Sequence, residues 1–156
     1  MKQRHEIFFK QLERIRGYLL KVSDVTKEEA EIVPKGFKNN IRWNLGHVYL
    51  EQYMWIKNVT REEVDVPNEY DNWFGWGSSP ENFTSETPPL EELRGLLIEQ
   101  LPKIKEKYGD QLEEEFEPTE MWGMTTIEQV LIWTNFHEGM HLQAILDIKK
   151  CMNITS

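Results

Sequence analysis

The sequence contains only one cysteine, Cys151, so it can form no internal disulfide and suits a reducing compartment. It also lacks any uninterrupted apolar run close to the roughly 20 residues that a membrane-spanning helix needs. The residues after Met1 enter an amphipathic pattern directly, without the apolar core of a signal peptide. We therefore expect a cytoplasmic protein that does not act in a membrane.

Positive charge is scarce in this chain. Its 18 Lys and Arg residues stand against 27 Asp and Glu residues, which gives a formal net charge of -9, and they form no basic stripe. Such a surface repels the phosphate backbone of a nucleic acid. Nucleic acid is therefore not an expected partner.

What the sequence does have is helical periodicity. With 156 residues, 39% of them apolar, the chain has room for one domain covering residues 1–156. Apolar positions recur at alternating spacings of three and four in four stretches, and no strand pattern or internal repeat competes. These positions are Phe8, Leu12, Ile15, Leu19 and Val22; Ile41, Leu45, Val48, Gln52, Trp55 and Val59; Leu93, Leu97, Leu101, Ile104 and Tyr108, in a stretch that starts near Leu90; and Ile127, Val130, Thr134, His137, His141, Ala144 and Ile148.

Local signals predict where these helices begin and where one is disturbed. Asn39 or Asn40 would cap the second helix. Thr125 and Glu128 have the spacing of a capping box at the start of the fourth. Pro102 lies inside the third pattern and predicts a kink or a break there.

About 30 residues, roughly 58–86, connect the second and third helices. Antiparallel neighbours in a bundle usually need only about 2–8 connecting residues, whereas a longer crossover lets consecutive helices run parallel. We therefore predict an all-α, four-helix bundle with up-down-down-up topology. The connection's aromatic residues should fold back over one end of the bundle; they are Trp73, Phe74, Trp76 and Phe83.

Two histidines occupy positions where the fourth helix should present apolar side chains. His137 and His141 are four residues apart, so their imidazoles lie on one face with Cβ atoms about 5–6 Å apart. Burying both is costly unless their nitrogens find partners. A lone buried histidine commonly bonds a carbonyl, but this pair favours a shared divalent ion.

His47 on the second helix is the candidate third ligand. At 1.5 Å per residue it lies about 10 Å from its helix start near Asn40, and the midpoint of His137 and His141 lies about 20 Å from theirs. If the two helices run antiparallel, these levels roughly coincide. The sequence therefore predicts that the three imidazoles meet.

Residues 137–141 read HEGMH and match the HExxH helix of zinc proteases, in which Glu138 would be the general base. Such proteases need another ligand downstream, and no His or Glu follows His141. On a helix, Glu138 points about 100° away from His137. We interpret Glu138 as a neighbouring or exposed side chain that orients a ligand or a water, and the protease interpretation is disfavoured.

Two segments resemble a known family. Residues 41–47, IRWNLGH, are similar to the second helix of the DinB-like (YfiT) metal-binding four-helix bundles, and residues 126–143 are similar to their fourth. Helix order, the long second connection and total length also agree, so the resemblance spans nearly the whole chain. It implies an open site in which His47, His137 and His141 hold one divalent ion, zinc or nickel. It also implies a homodimer, and in some relatives the use of bacillithiol, mycothiol or glutathione.

Other residues near these positions have weaker claims. Asn44 and Glu51 share a face with His47, so either could bond an imidazole, although Glu51 also fits an exposed or capping carboxylate. Trp43 and Trp133 would wall the site or pack in the core. His5 is expected to be an uninvolved surface residue, and the acidic run 113–115 a solvated loop.

The leading expected function is a divalent-metal-dependent S-transferase that delivers a low-molecular-weight thiol to a small electrophile. The alternatives are a metal-dependent hydrolase and a non-enzymatic, stress-response metal-binding dimer. An enzyme should have a pocket at the ion, lined by tryptophans from the set Trp43, Trp73, Trp76 and Trp133. A structural site should be closed by a fourth protein ligand such as Glu51. Imidazole ligands do not choose between zinc and nickel.

Overall fold

A computed structural model of the chain describes residues 1–154, and every regular element in that range is helical. This confirms the predicted all-α class. The long helices are α1 (Gln3–Val22), α3 (Ile41–Thr60), α5 (Leu90–Tyr108) and α6 (Ile127–Cys151); the short ones are α2 (Lys27–Ala30), α4 (Glu69–Phe74) and a 3₁₀ turn at Pro80–Asn82. None of the helices within residues 1–154 is long and apolar enough to cross a membrane.

The first and last long helices lie side by side and point in the same direction. Near their starts, Arg4 on α1 bonds Glu128 on α6 with a 2.6 Å contact. Near their ends, Lys149 Nζ donates to the carbonyl of Val22 at 3.0 Å. Since start meets start and end meets end, α1 and α6 are parallel.

Helix α3 packs against the other side of α6 in the opposite direction. Asn44, near the start of α3, bonds His141 in the second half of α6. Trp55, near the end of α3, meets Trp133 in the first half of α6, with ring centroids 5.9 Å apart. Helix α5 completes the bundle by packing against both α1 and α3.

A polar layer lies between two apolar halves of the core. Arg16 on α1 forms a bidentate ion pair with Glu138 on α6 and also donates to the Leu97 carbonyl on α5 at 2.7 Å. Gln100 on α5 accepts from Arg16 and donates to the Tyr49 carbonyl on α3 at 2.7 Å. This layer joins all four long helices.

The buried face of α1 differs from the predicted one. Leu12 and Leu19 are buried as expected, but Phe9 and Arg16 are buried in place of Phe8 and Ile15, which are only half-buried. A charged residue can take a core position here because Glu138 neutralises it and each of its three guanidinium nitrogens has an acceptor.

The helix ends follow the predicted signals with one shift. Asn40 caps α3 by accepting from the Trp43 amide at 2.8 Å. The cap of α6 is Thr126 and not Thr125, because Gln129 completes the capping box while Glu128 turns outward to Arg4. Helix α5 continues through Pro102 without a break: this residue lies on the exposed side, where a missing amide bond disturbs no packing.

The connection between α3 and α5 brings only part of its aromatic set into the core. Trp73 and Phe74 are buried and Phe83 is half-buried against them, but Trp76 is 94% exposed, so the prediction for Trp76 was wrong. Phe74 sits directly on the backbone of α3, where a Cβ at Gly46 would overlap its ring. Glycine at this position therefore lets the connection pack tightly beside His47.

Candidate metal centre

Helices α3 and α6 bring His47, His137 and His141 together. One ring nitrogen of each lies within 4.8 Å of the others, and the ring centroids are 4.6 to 5.2 Å apart. His47 and His137 are buried and His141 is half-buried. The antiparallel packing of α3 on α6 produces this meeting, as the comparison of helix heights required.

The backbone of the connection determines the orientation of His47. Its Nδ1 lies 2.6 Å from the carbonyl oxygen of Phe74, which can only accept, so Nδ1 must carry the ring hydrogen. In a neutral imidazole this leaves the Nε2 lone pair free. Nε2 is therefore the ligand atom that His47 offers.

The side chain of Asn44 determines the orientation of His141. Its side-chain oxygen lies 2.7 Å from His141 Nδ1, and its amide nitrogen donates to the Asn40 carbonyl at 2.7 Å. The second bond fixes the amide with its oxygen toward the imidazole, because only the NH₂ end can donate to a carbonyl. His141 consequently carries its hydrogen on Nδ1 and leaves Nε2 free.

The free nitrogens converge on one point. His141 Nε2 lies 3.2 Å from His137 Nε2, a separation that requires a shared proton or a shared cation between them. Two ligands held at about 2.0–2.1 Å in a tetrahedral shell stand roughly 3.3 Å apart, so the spacing matches a common metal ion. A proton between His137 and His141 would serve only two of the three rings, whereas a divalent ion can accept a nitrogen from all three. The donor set fits a metal.

Burial keeps these imidazoles in the neutral form that binds metals. Desolvation lowers the pKa of His137 to about 4, with a smaller contribution from nearby His47. The pKa of His141 is lowered further by burial and by both neighbouring histidines. Burial also lowers the pKa of His47, opposed by its bond to Phe74. At neutral pH no proton competes strongly for the site.

Comparison with known families agrees with this geometry. A sequence profile of the DinB superfamily matches residues 11–145, which include all three histidines. The chain belongs to the DinB superfamily. No curated protein matches the sequence. Superfamily membership and the three-histidine cluster together support a metal-binding helical protein.

Aromatic side chains flank the centre of this DinB-superfamily protein. The Trp43 ring stacks on His47 with centroids 4.5 Å apart, and its Nε1 donates to Ser78 Oγ at 2.9 Å. Trp133 lies 6.4 Å from His137 in a nearly parallel orientation. Trp73 instead packs on Tyr70 and Phe74 in the connection. Two of the four candidate tryptophans thus border the histidines.

The carboxylates near the motif have roles that the sequence did not predict. Glu138 is 1% exposed and paired with Arg16, so its interpretation as an exposed or water-orienting side chain was wrong. Glu51 does not belong to the histidine cluster; burial, with a smaller contribution from Asp71, raises its pKa to about 7. His5 is buried, which contradicts the expected surface position.

Two groups that support the site, the Phe74 carbonyl and Arg16, were not predicted from the sequence. A backbone acceptor such as the Phe74 carbonyl has no sequence signature. Arg16 did have one, because its spacing from Leu12 and Leu19 places it on the buried face, and a buried arginine demands an acidic partner.

Proposed function

We propose that this protein is a divalent-metal-dependent thiol S-transferase with an open three-histidine centre. The observation that carries the proposal is the convergence of three neutral imidazoles, with no fourth His, Cys, Asp or Glu joining the cluster within residues 1–154. Three protein ligands and an open position are typical of catalytic zinc sites, whereas structural sites take four. Glu51, the expected fourth ligand of a closed site, stands outside the cluster.

The chain's own residues would divide the work as follows. His47, His137 and His141 would hold the ion, and Asn44 and the Phe74 carbonyl keep two of the rings in the ligating tautomer. Trp43 and Trp133 border the site and would limit the access of water to the ion. The bound ion would lower the pKa of a thiol at its open position, so that a thiolate is available at neutral pH.

Metal content tests the first half of the proposal. Purified protein should hold one equivalent of zinc or nickel that resists gel filtration, because three imidazoles bind these ions strongly. His137→Ala should lose it, while Met140→Ala, an exposed residue of the same helix, should not. Undiminished metal in His137→Ala would show that the assignment is wrong.

Activity tests the second half. Metal-loaded protein is incubated with bacillithiol, mycothiol or glutathione and a chromogenic electrophile, and thioether formation is measured against a His47→Ala/His137→Ala/His141→Ala variant. A rate that exceeds the variant's with any thiol supports the transferase. No excess with any of them overturns it, and metal-dependent ester cleavage in the same samples would favour the hydrolase instead.

The homodimer is proposed together with this function. Ile132, Phe136 and Met140 are exposed and spaced four residues apart, so they form an apolar stripe on the outer face of α6. A second copy is an occupant that would remove this stripe from water. Light scattering should give twice the 18.7 kDa chain mass, and Phe136→Glu should reduce it to one chain.

A further inference from the structure

A second group of potential ligands lies where α1 and α6 begin. His5 on α1, Glu128 in the first turn of α6 and Glu113 in the segment after α5 place one ligand atom each within 4.8 Å of one another. Three separate parts of the chain thus meet at this point. The group shares no residue with the three-histidine centre.

The central observation is a buried nitrogen without a partner. His5 is 3% exposed, and its Nε2 has no hydrogen-bond partner. This nitrogen faces Glu128 Oε1 at 3.6 Å and Glu113 Oε1 at 3.9 Å, too far for hydrogen bonds. The gaps exceed by only a few tenths of an ångström the roughly 3.3 Å between two ligands of a tetrahedral ion.

Solvent can reach the group, and two basic side chains already form ion pairs with its carboxylates. A surface cavity of about 370 Å³ is lined by His5, Glu113 and their neighbours. Arg4 bonds both carboxylates and Lys2 Nζ lies 2.6 Å from Glu113, yet both basic side chains are about half exposed. These side chains can turn outward, and the carboxylates would then face the buried nitrogen with their negative charge uncompensated.

We propose that His5, Glu113 and Glu128 form a second binding site for a divalent transition-metal ion, weaker than the first and in competition with Arg4. One imidazole and two carboxylates are a ligand set that zinc and its neighbours accept. Besides displacing Arg4 and Lys2 from the carboxylates, binding has a cost at His5 itself. His5 Nδ1 now accepts from the Lys2 amide at 3.1 Å, so the ring hydrogen stands on Nε2 and must move to Nδ1. The Lys2 amide then turns away from the ring.

The first experiment counts ions. Full-length protein is dialysed against micromolar Zn²⁺, and bound zinc is measured. Wild-type protein should bind two equivalents, Glu113→Gln/Glu128→Gln one, and the control Glu115→Gln/Glu120→Gln, at two exposed carboxylates outside the cavity, two. His137→Ala/His141→Ala should keep the second-site equivalent, which separates this proposal from the first centre. Equal binding by the Glu113→Gln/Glu128→Gln variant and its control would overturn the proposal.

The second experiment removes the positive charge of Arg4 and measures the zinc affinity of the weaker site. Arg4→Ala should tighten the weaker zinc site roughly tenfold, since it removes a positive charge a few ångströms away in a partly exposed setting. A purely structural role for Arg4 predicts no gain. Zinc should also shift the His5 imidazole from the Nε2–H to the Nδ1–H tautomer in long-range ¹H–¹⁵N spectra. An unchanged tautomer, or unchanged affinity in Arg4→Ala, contradicts the site.

Discussion

Asn44 offers the sharpest test of how the three-histidine centre is organised. Its oxygen holds the ring hydrogen of His141 on Nδ1. In Asn44→Leu, a change of similar volume, that acceptor is gone and the hydrogen can move to Nε2, the nitrogen that the metal requires. Loss of such an outer partner typically costs about 10- to 100-fold in metal affinity. This corresponds to roughly 1.4–2.8 kcal/mol of binding free energy.

Asn44→Asp separates positioning from simple folding. The carboxylate still accepts from His141 and adds negative charge near the ion, so zinc affinity should equal or exceed that of the wild type. Its second oxygen, however, faces the Asn40 carbonyl that now accepts from the amide, and the metal-free protein should be less stable. Affinity and stability therefore change in opposite directions in this variant.

Zinc affinity is measured by competition with a chromophoric chelator at pH 7.5, in a Glu113→Gln background so that the three-histidine centre dominates. Thermal unfolding of the metal-free proteins gives stability. The control is Asn135→Leu, which breaks a 3.1 Å bond to the Leu131 carbonyl on the same helix as His141 and removes no hydrogen bond to a histidine. Wild-type affinity in Asn44→Leu, or an equal loss in Asn135→Leu, would refute the reasoning.

Three further outcomes follow from the geometry. Gly46→Ala should lower zinc affinity by about tenfold and should also lower the melting temperature, because the new Cβ displaces Phe74, whose backbone carbonyl orients His47. Gly17→Ala, which has open space around it, should change neither. Glu138→Gln leaves Arg16 buried without its counterion and should lower the free energy of unfolding in urea by roughly 3–5 kcal/mol. A loss no larger than that of a surface substitution would contradict a stabilising role for the Arg16–Glu138 pair. As pH falls from about 6.5 toward 4, metal-free wild type should lose roughly 3 kcal/mol more unfolding free energy than metal-free His137→Ala, since unfolded His137 binds a proton that the folded form refuses. Glu51, whose raised pKa has the opposite effect on stability, titrates in both proteins and cancels. Equal pH profiles for the two proteins would argue against burial of a neutral His137 imidazole.

The predicted helices were confirmed because local signals specify them. Alternating spacings of three and four mark the face that must leave water, and Asn40 supplies a cap that depends only on its own neighbourhood. The prediction of the buried face was wrong where either of two adjacent residues could have faced the core. Phe8 and Phe9 differ by one position, and the sequence alone did not show which faces the core, because the choice depends on where Glu138 receives Arg16.

The candidate site divides in the same way. His137 and His141 could be predicted from α6 itself, since their spacing and their position on an apolar face are properties of one helix. Their role as metal ligands, with His47, stays a prediction. The partners that orient the rings, Asn44 and the Phe74 carbonyl, required knowledge of which helix and which connection lie opposite.

By itself the sequence determined the helical class, most helix boundaries and the presence of imidazoles on faces that should be apolar, because these depend on residues within a few turns of each other. Only the tertiary structure decided which nitrogen His47 and His141 offer, that Glu138 serves a buried ion pair, and that His5 faces two carboxylates. Each of these depends on atoms far apart in the chain, and their distances are set by how whole helices pack and not by any local pattern.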